Sequence, residues 1–149
     1  MEVNFETIIM EDNLSRVINP ESSGKERNKL TKSIVKAIRE LMNQQTTNLL
    51  THDLAAFIAL ALESIYKTVD VSVIAWEKRG YWLKADRFRL DWEWTELYGQ
   101  QMRQAVLAEN WADIALISTK VAQKLSNIQI ATNNRIGEPW IGCWDKIRE

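Results

Sequence analysis

His52 and Asp53 stand side by side, and a histidine next to a carboxylate is the pair from which general-base chemistry is built. No Gly-x-Ser-x-Gly or other nucleophile elbow accompanies them, so the preferred reading makes His52 a first-turn residue of a helix capped by Thr51. Cys143 lies between Gly142 and Trp144. A nucleophilic thiol needs a helix N-terminus or a neighbouring cation, and Lys146 alone is weak support. Zinc and iron sites draw on histidine and cysteine, and the chain has one of each. Asp86, Asp91, Glu93 and Glu96 share no acid-dominated helical face and read as partners of nearby bases. The five glycines are scattered, with no phosphate-binding loop. The expectation is no catalytic constellation, no metal and no cofactor.

The aromatic residues are the strongest departure from an ordinary composition. There are seven tryptophans, and Trp76, Tyr81, Trp82, Phe88, Trp92, Trp94 and Tyr98 crowd into residues 76–98. Lys78, Arg79, Lys84, Arg87 and Arg89 are interleaved with them, an arrangement able to stack planar ligands or bases. Glu77, Asp86, Asp91, Glu93 and Glu96 equal those bases in number, which disfavours nucleic acid because counterion release needs net positive charge. On a helix Trp92 and Trp94 are about 200° apart. Trp94 then shares a core stripe with Leu90 and Leu97, while Trp92 shares a second apolar face with Phe88, Gly99 and Val106. That second face needs cover from the tail, through Trp140 and Trp144, or from another subunit. Trp76, Trp82, Phe88, Trp92, Trp140 and Trp144 are therefore the candidate interface or ligand-pocket residues.

Lys25, Lys29, Lys32, Lys36 and Arg39 recur at spacings of four, three, four and three, which puts them on one side of a helix. The ordinary reading is a solvated face. The functional one is a surface for an acidic partner, or for the chain's own acidic first 24 residues, where Glu2, Glu6, Glu11, Asp12 and Glu21 face Arg16 alone.

The elements that must position these residues are helices. With 149 residues, 46% apolar and 26% charged, the chain suits a single domain with one core. Residues 1–24 read as an arm ending in an Asn19–Gly24 loop, with Ser23 and Glu26 at capping-box spacing. Helices are predicted over about 25–43, 52–79, 81–109 and 111–127 from stripes at helical spacing, such as Leu30, Ile34, Ala37, Ile38 and Leu41. Leu54–Leu62 is apolar all round and should run through the middle. Gly80 should stop the second helix and Asn110 should cap the fourth. The tail from Gln129 reads as irregular. Strict alternation over 69–73 and 88–94 keeps a β-hairpin open for residues 69–94.

The resulting expectation is an all-α, up-down four-helix bundle with an N-terminal arm and an irregular C-terminal tail. A net charge of −1 gives no general pull toward nucleic acid or anionic lipid, and the longest apolar run is far short of the roughly 20 residues a membrane helix needs. One cysteine and an acidic start without a secretory pattern point to the cytoplasm. The functional expectation is a non-enzymatic interaction or regulatory protein that self-associates as a homodimer. The alternative is a binder of a flat or apolar small molecule in a tryptophan-lined pocket. An enzyme using carboxylates or His52 ranks last.

Overall fold

The computed structural model describes residues 20–149, and every regular element within them is helical. In chain order these are α1 (Pro20–Met42), α2 (Leu49–Lys78), α3 (Trp82–Trp92), α4 (Trp94–Leu107), α5 (Trp111–Lys124) and α6 (Cys143–Ile147). The hairpin alternative for residues 69–94 is overturned, since that stretch belongs to α2 and α3. Most of the predicted N-terminal arm lies outside the described residues.

The chain is already helical at Pro20, the first described residue, ahead of the expected boundary near residue 25. The loop expected up to Gly24 is therefore helix, and Ser23 and Glu26 sit inside it instead of forming a capping box.

α2 is the central element and packs against α1, α3, α4 and α6. Its cap is Asn48 rather than Thr51. The Asn48 side chain accepts from the Thr51 N–H (3.1 Å), and the Asn48 N–H donates to Thr51 Oγ1 (2.8 Å), which closes a reciprocal box. Leu54, Ala55, Ala56, Ile58, Ala59, Leu62, Ile65, Val69 and Val73 are all fully buried, as an all-round apolar run requires. Gly80, at φ 80°, ends the helix as expected: its N–H bonds Glu77 O at 3.0 Å and the Tyr81 N–H bonds Trp76 O at 2.9 Å.

The single third helix of the prediction is two. A break falls at Glu93, where Thr95 Oγ1 donates to Trp92 O (2.7 Å) and the Leu97 N–H reaches Glu93 O only at 3.4 Å. The expected 200° separation does not keep the two rings apart. Trp92 and Trp94 instead stack, with centroids 6.2 Å apart and planes at 21°. Both are half-buried, so Trp94 is not the deep core residue expected and Trp92 is not set apart from it. The expected all-α fold stands, but in place of four helices there are six among the described residues: α1, α3, α4 and α6 pack on α2, and α5 packs on α4 and α1.

The core face of this region also departs from the predicted stripe of Leu83, Leu90, Trp94, Leu97, Ala105 and Ala108, of which only Ala105 is buried. Leu83, Leu90 and Leu97 point outward, whereas Ala85, Gly99, Met102 and Val106 are buried. The reason is the distance between α4 and α2: a Cβ on Gly99 would lie 3.3 Å from Leu62 Cβ and 3.5 Å from the Glu63 backbone N. Only small residues let two helices approach that closely, and the larger leucines are left on the other side. Beside this contact Arg103 forks onto Glu63, with Nε–Oε2 at 2.7 Å and Nη2–Oε1 at 2.8 Å.

α5 begins at the expected cap, Asn110, whose side chain accepts from the Asp113 N–H (3.2 Å), and packs on α4 and α1. The tail is irregular only as far as Gly142. It ends in α6 and brings Trp140, Cys143 and Ile147 into the core against α2. No helix among the described residues is long and apolar enough to cross a membrane.

Candidate functional site

The aromatic residues form a chain of contacts along the seam where α1, α2, α3 and α4 meet. Trp76 meets Phe88 edge-on at 4.8 Å, Phe88 meets Trp92 at 6.2 Å, and Trp94 continues from Trp92 to Tyr98 at 6.0 Å. Arg27 of α1 lies 4.7 Å over Phe88 and 5.6 Å from Trp92, and its Nη1 donates to Thr68 Oγ1 (3.1 Å). Burial lowers the Arg27 pKa from its ordinary value. Lys84 covers the Trp76 face at 4.6 Å. Trp76, Phe88 and Trp92 are thus tied together as half-buried packing, while Trp82 of the same candidate set is exposed.

Outside this seam lies the apolar surface. On α3, Ala85, Phe88, Arg89 and Trp92 face inward at spacings of three, one and three, so Leu83, Asp86, Arg87 and Leu90 face out. Trp82 is 61% exposed, Leu83 71%, Leu90 66% and Leu97 51%. Next to them a cleft of 740 Å³ opens between Trp76, Tyr81, Trp82 and Phe88, with Lys84 and Arg87 at its edge. Periodicity alone places Leu90 and Leu97 in a core stripe, yet they and Leu83 are surface residues. Their spacing of seven, with Gly99 and Ala85 on the opposite side, is the signal that could have identified them.

The two tail tryptophans do not cover α3. Trp140 is 2% exposed and packs on Phe57 of α2 (6.5 Å), so it is core and leaves the set of accessible interface or pocket candidates. Trp144 is half-buried against His52 at 4.6 Å, with the Arg148 guanidinium 4.4 Å over its ring.

His52 does more than occupy a first turn. Its Nδ1 lies 2.8 Å from Asn48 O and its Nε2 2.8 Å from Glu109 Oε1, with Trp111 edge-on at 5.0 Å. Both partners are acceptors, so both ring nitrogens must donate and the geometry suits the imidazolium. Burial is the largest single influence and lowers the pKa. The Glu109 hydrogen bond, the Asn48 carbonyl and the Glu109 charge together outweigh it, even against Arg148, and the pKa rises above the ordinary 6.5. Glu109 adopts φ 53° at the end of α4, and Asn110 N–H to Ala105 O (2.9 Å) closes the same terminal motif that Gly80 makes in α2. A raised folded pKa contributes stability that is fully present below pH 6.5 and is lost as pH rises through the folded value. Thermal melts across that window are expected to show this loss in the natural chain and not in Glu109→Gln. An unchanged pH profile in the variant would remove the ion pair from the explanation.

Cys143 is buried and its Sγ donates to Pro139 O at 3.7 Å. Burial raises the thiol pKa, the charge of Asp53 adds to the rise and Lys146 opposes it, which is the opposite of what a nucleophile needs. Asp53 is itself committed: Oδ2 accepts from the Gly142 N–H (3.2 Å) and Oδ1 from the Trp144 N–H (2.9 Å). No group of three or more histidine, cysteine or acidic residues placed to hold a metal occurs among the described residues.

On the basic face, Lys25, Lys29, Lys32 and Arg39 are exposed, and Lys36 is half-buried, donating to Gly137 O at 2.7 Å. Lys25, Lys29 and Lys32 line a groove of 480 Å³ with Arg135 of the tail, floored by Ile130 and Ile136. Of the acidic residues among the first 24, only Glu21 lies within the described part of the chain.

Comparison of the chain with protein-family models, with curated proteins and with solved structures finds no match.

Proposed function

We propose that this is a non-enzymatic, cytoplasmic interaction protein of the helical-bundle class that self-associates through the outer face of α3 and the start of α4. The observation that carries the reading is the row of Trp82, Leu83, Leu90 and Leu97, all more than half exposed, the first three on α3, where only Ala85 is buried, and the last at the start of α4. Apolar residues that cluster on a surface mark an interface more often than chance exposure does. The non-enzymatic part is supported by the groups with the best chemistry being engaged in holding the fold: His52 between two acceptors, Asp53 on two backbone N–H groups, Cys143 with a raised pKa.

A second reading, binding of a flat apolar molecule, is favoured by the 740 Å³ cleft between Trp76, Trp82 and Phe88. Mass determination in solution over a range of concentrations, with an absorption spectrum of the purified protein, separates the two. A dimer that dissociates on dilution is expected. A monomer at every concentration that carries a chromophore would replace the first reading with the second.

A further inference from the structure

We infer that residues 2–12 of this same chain dock in the basic groove between α1 and the tail, with their acids on its cations and their apolar side chains on its isoleucine floor. None of the residues involved lies on the outer face of α3, so the inference is independent of self-association there.

Two elements build the groove. Lys25, Lys29 and Lys32 stand on one face of α1 at spacings of four and three, and Arg135 of the tail lines the same groove. Its floor is Ile130 and Ile136, both half-buried. Among the described residues no acid lines it. The four cations are exposed and enter no ion pair among the described residues. The tail wall is held in place before anything binds. Asn134 Nδ2 donates to Ala131 O at 3.0 Å, the Ile136 N–H donates to Asn134 Oδ1 at 3.0 Å, and Lys36 holds Gly137 O at 2.7 Å. A groove formed in advance loses little further freedom when it is filled. Its chemistry calls for a segment in which acids bracket apolar residues.

The residues ahead of Pro20 have that composition. Glu6, Glu11 and Asp12 bracket Ile8, Ile9 and Met10, and Glu2 precedes Val3 and Phe5. The chain's 19 basic and 20 acidic residues divide unevenly: one and four fall in residues 1–19, 18 and 16 in the rest, a net −3 against +2. The near-neutral whole therefore conceals two parts of opposite sign.

Connectivity makes this segment the favoured occupant. Lys25 and Lys32 lie roughly 8 and 18 Å along α1 from Pro20, at 1.5 Å per residue. The eight steps from Asp12 to Pro20 span up to about 26–29 Å. Residues 13–19 are thus long enough to reverse the chain and lay residues 2–12 along α1, with Asp12 toward Lys25 and Glu6 toward Lys32. Exposed ion pairs are individually weak. Covalent attachment compensates, because a short tether gives an effective concentration on the order of millimolar. A separate acidic partner making the same contacts would have to be present at that concentration.

The test is hydrogen exchange by mass spectrometry on the full chain at two protein concentrations. Amides of residues 3–12 are expected to exchange about tenfold more slowly in the natural chain than in Lys29→Glu/Lys32→Glu. Adding Glu6→Lys and Glu11→Lys to that variant should restore the protection, as reversed pairs attract again. Circular dichroism and thermal melts check that the fold is kept, since exposed charge changes cost little stability. Treatment of the natural chain with a carbodiimide should join Glu6, Glu11 or Asp12 to Lys25, Lys29 or Lys32 within one chain. Residues 3–12 exchanging at the rate of an unprotected chain would overturn the docking and leave the groove to an acidic partner from outside. Protection that Lys29→Glu/Lys32→Glu leaves unchanged would overturn it too, because the segment would then be covered elsewhere. Protection that grows with protein concentration would replace docking within one chain by exchange of segments between copies.

Discussion

Replacing Trp140 by alanine is expected to cost about 3–5 kcal/mol of stability, the range for truncating a large buried aromatic. The ring is 2% exposed and packs on Phe57 of α2, with Lys36 Nζ 5.7 Å over its face. It anchors the segment between Leu125 and α6, which has little regular structure of its own. Loss of the ring is therefore expected to release the tail locally before the remaining helices melt, because weakly tied segments open first. The measurements are urea unfolding, and limited proteolysis directed at residues 129–149. Trp140→Phe should lose much less, since the indole N–H has no hydrogen-bond partner among the described groups and no polar contact disappears with it. An alanine variant as stable and as protease-resistant as the natural chain would show that the tail does not depend on this ring.

The second large effect is expected at Asp53. α6 is five residues long, and its N-cap, Gly142, has no side chain with which to cap it. Asp53, on the central helix, supplies the missing acceptor twice, at 3.2 Å to the Gly142 N–H and 2.9 Å to the Trp144 N–H. The carboxylate is buried, so Asp53→Ala removes two charge-assisted bonds and leaves two donors without partners, for a loss of about 3 kcal/mol. Asp53→Asn retains one acceptor oxygen and should fall between the two. Because Trp140 and Asp53 hold the same segment, their losses should not add: once one has released the tail, the other has little left to hold. A double-mutant cycle in urea tests this, and simple additivity would mean that the two contacts act on separate units.

The reliability of periodicity varied along the chain for physical reasons that can be stated. Where a helix is buried on every side, composition alone identifies it, and Leu54–Leu62 runs through the centre as read. Where a terminus is set by local backbone chemistry, the residue type is enough, as Gly80 and Asn110 illustrate. Local chemistry also misled when two candidates competed. Thr51 and Asn48 are both good caps, and they share one capping box in which Asn48 comes first. Ser23 and Glu26 have capping-box spacing, but the chain is already helical ahead of them, at Pro20.

The larger errors came from features that depend on distance between elements. Hydrophobicity ranks leucine above glycine and alanine, so Leu83, Leu90 and Leu97 were assigned inward. The close approach of α4 to α2 at Gly99 and Leu62 requires the small residues there instead. The break at Glu93 follows from Thr95 bonding back to Trp92 O, a choice between two available hydrogen bonds that spacing does not encode.

By itself, the sequence determined that the described chain is helical and that α2 is its centre. Only the tertiary structure decided which face of α3 and α4 is bare, that His52 bridges Asn48 and Glu109, and that Asp53 caps a helix 89 positions away. Those three outcomes depend on contacts between residues far apart in the chain, and a pattern of period 3.6 records only which side of its own helix a residue is on.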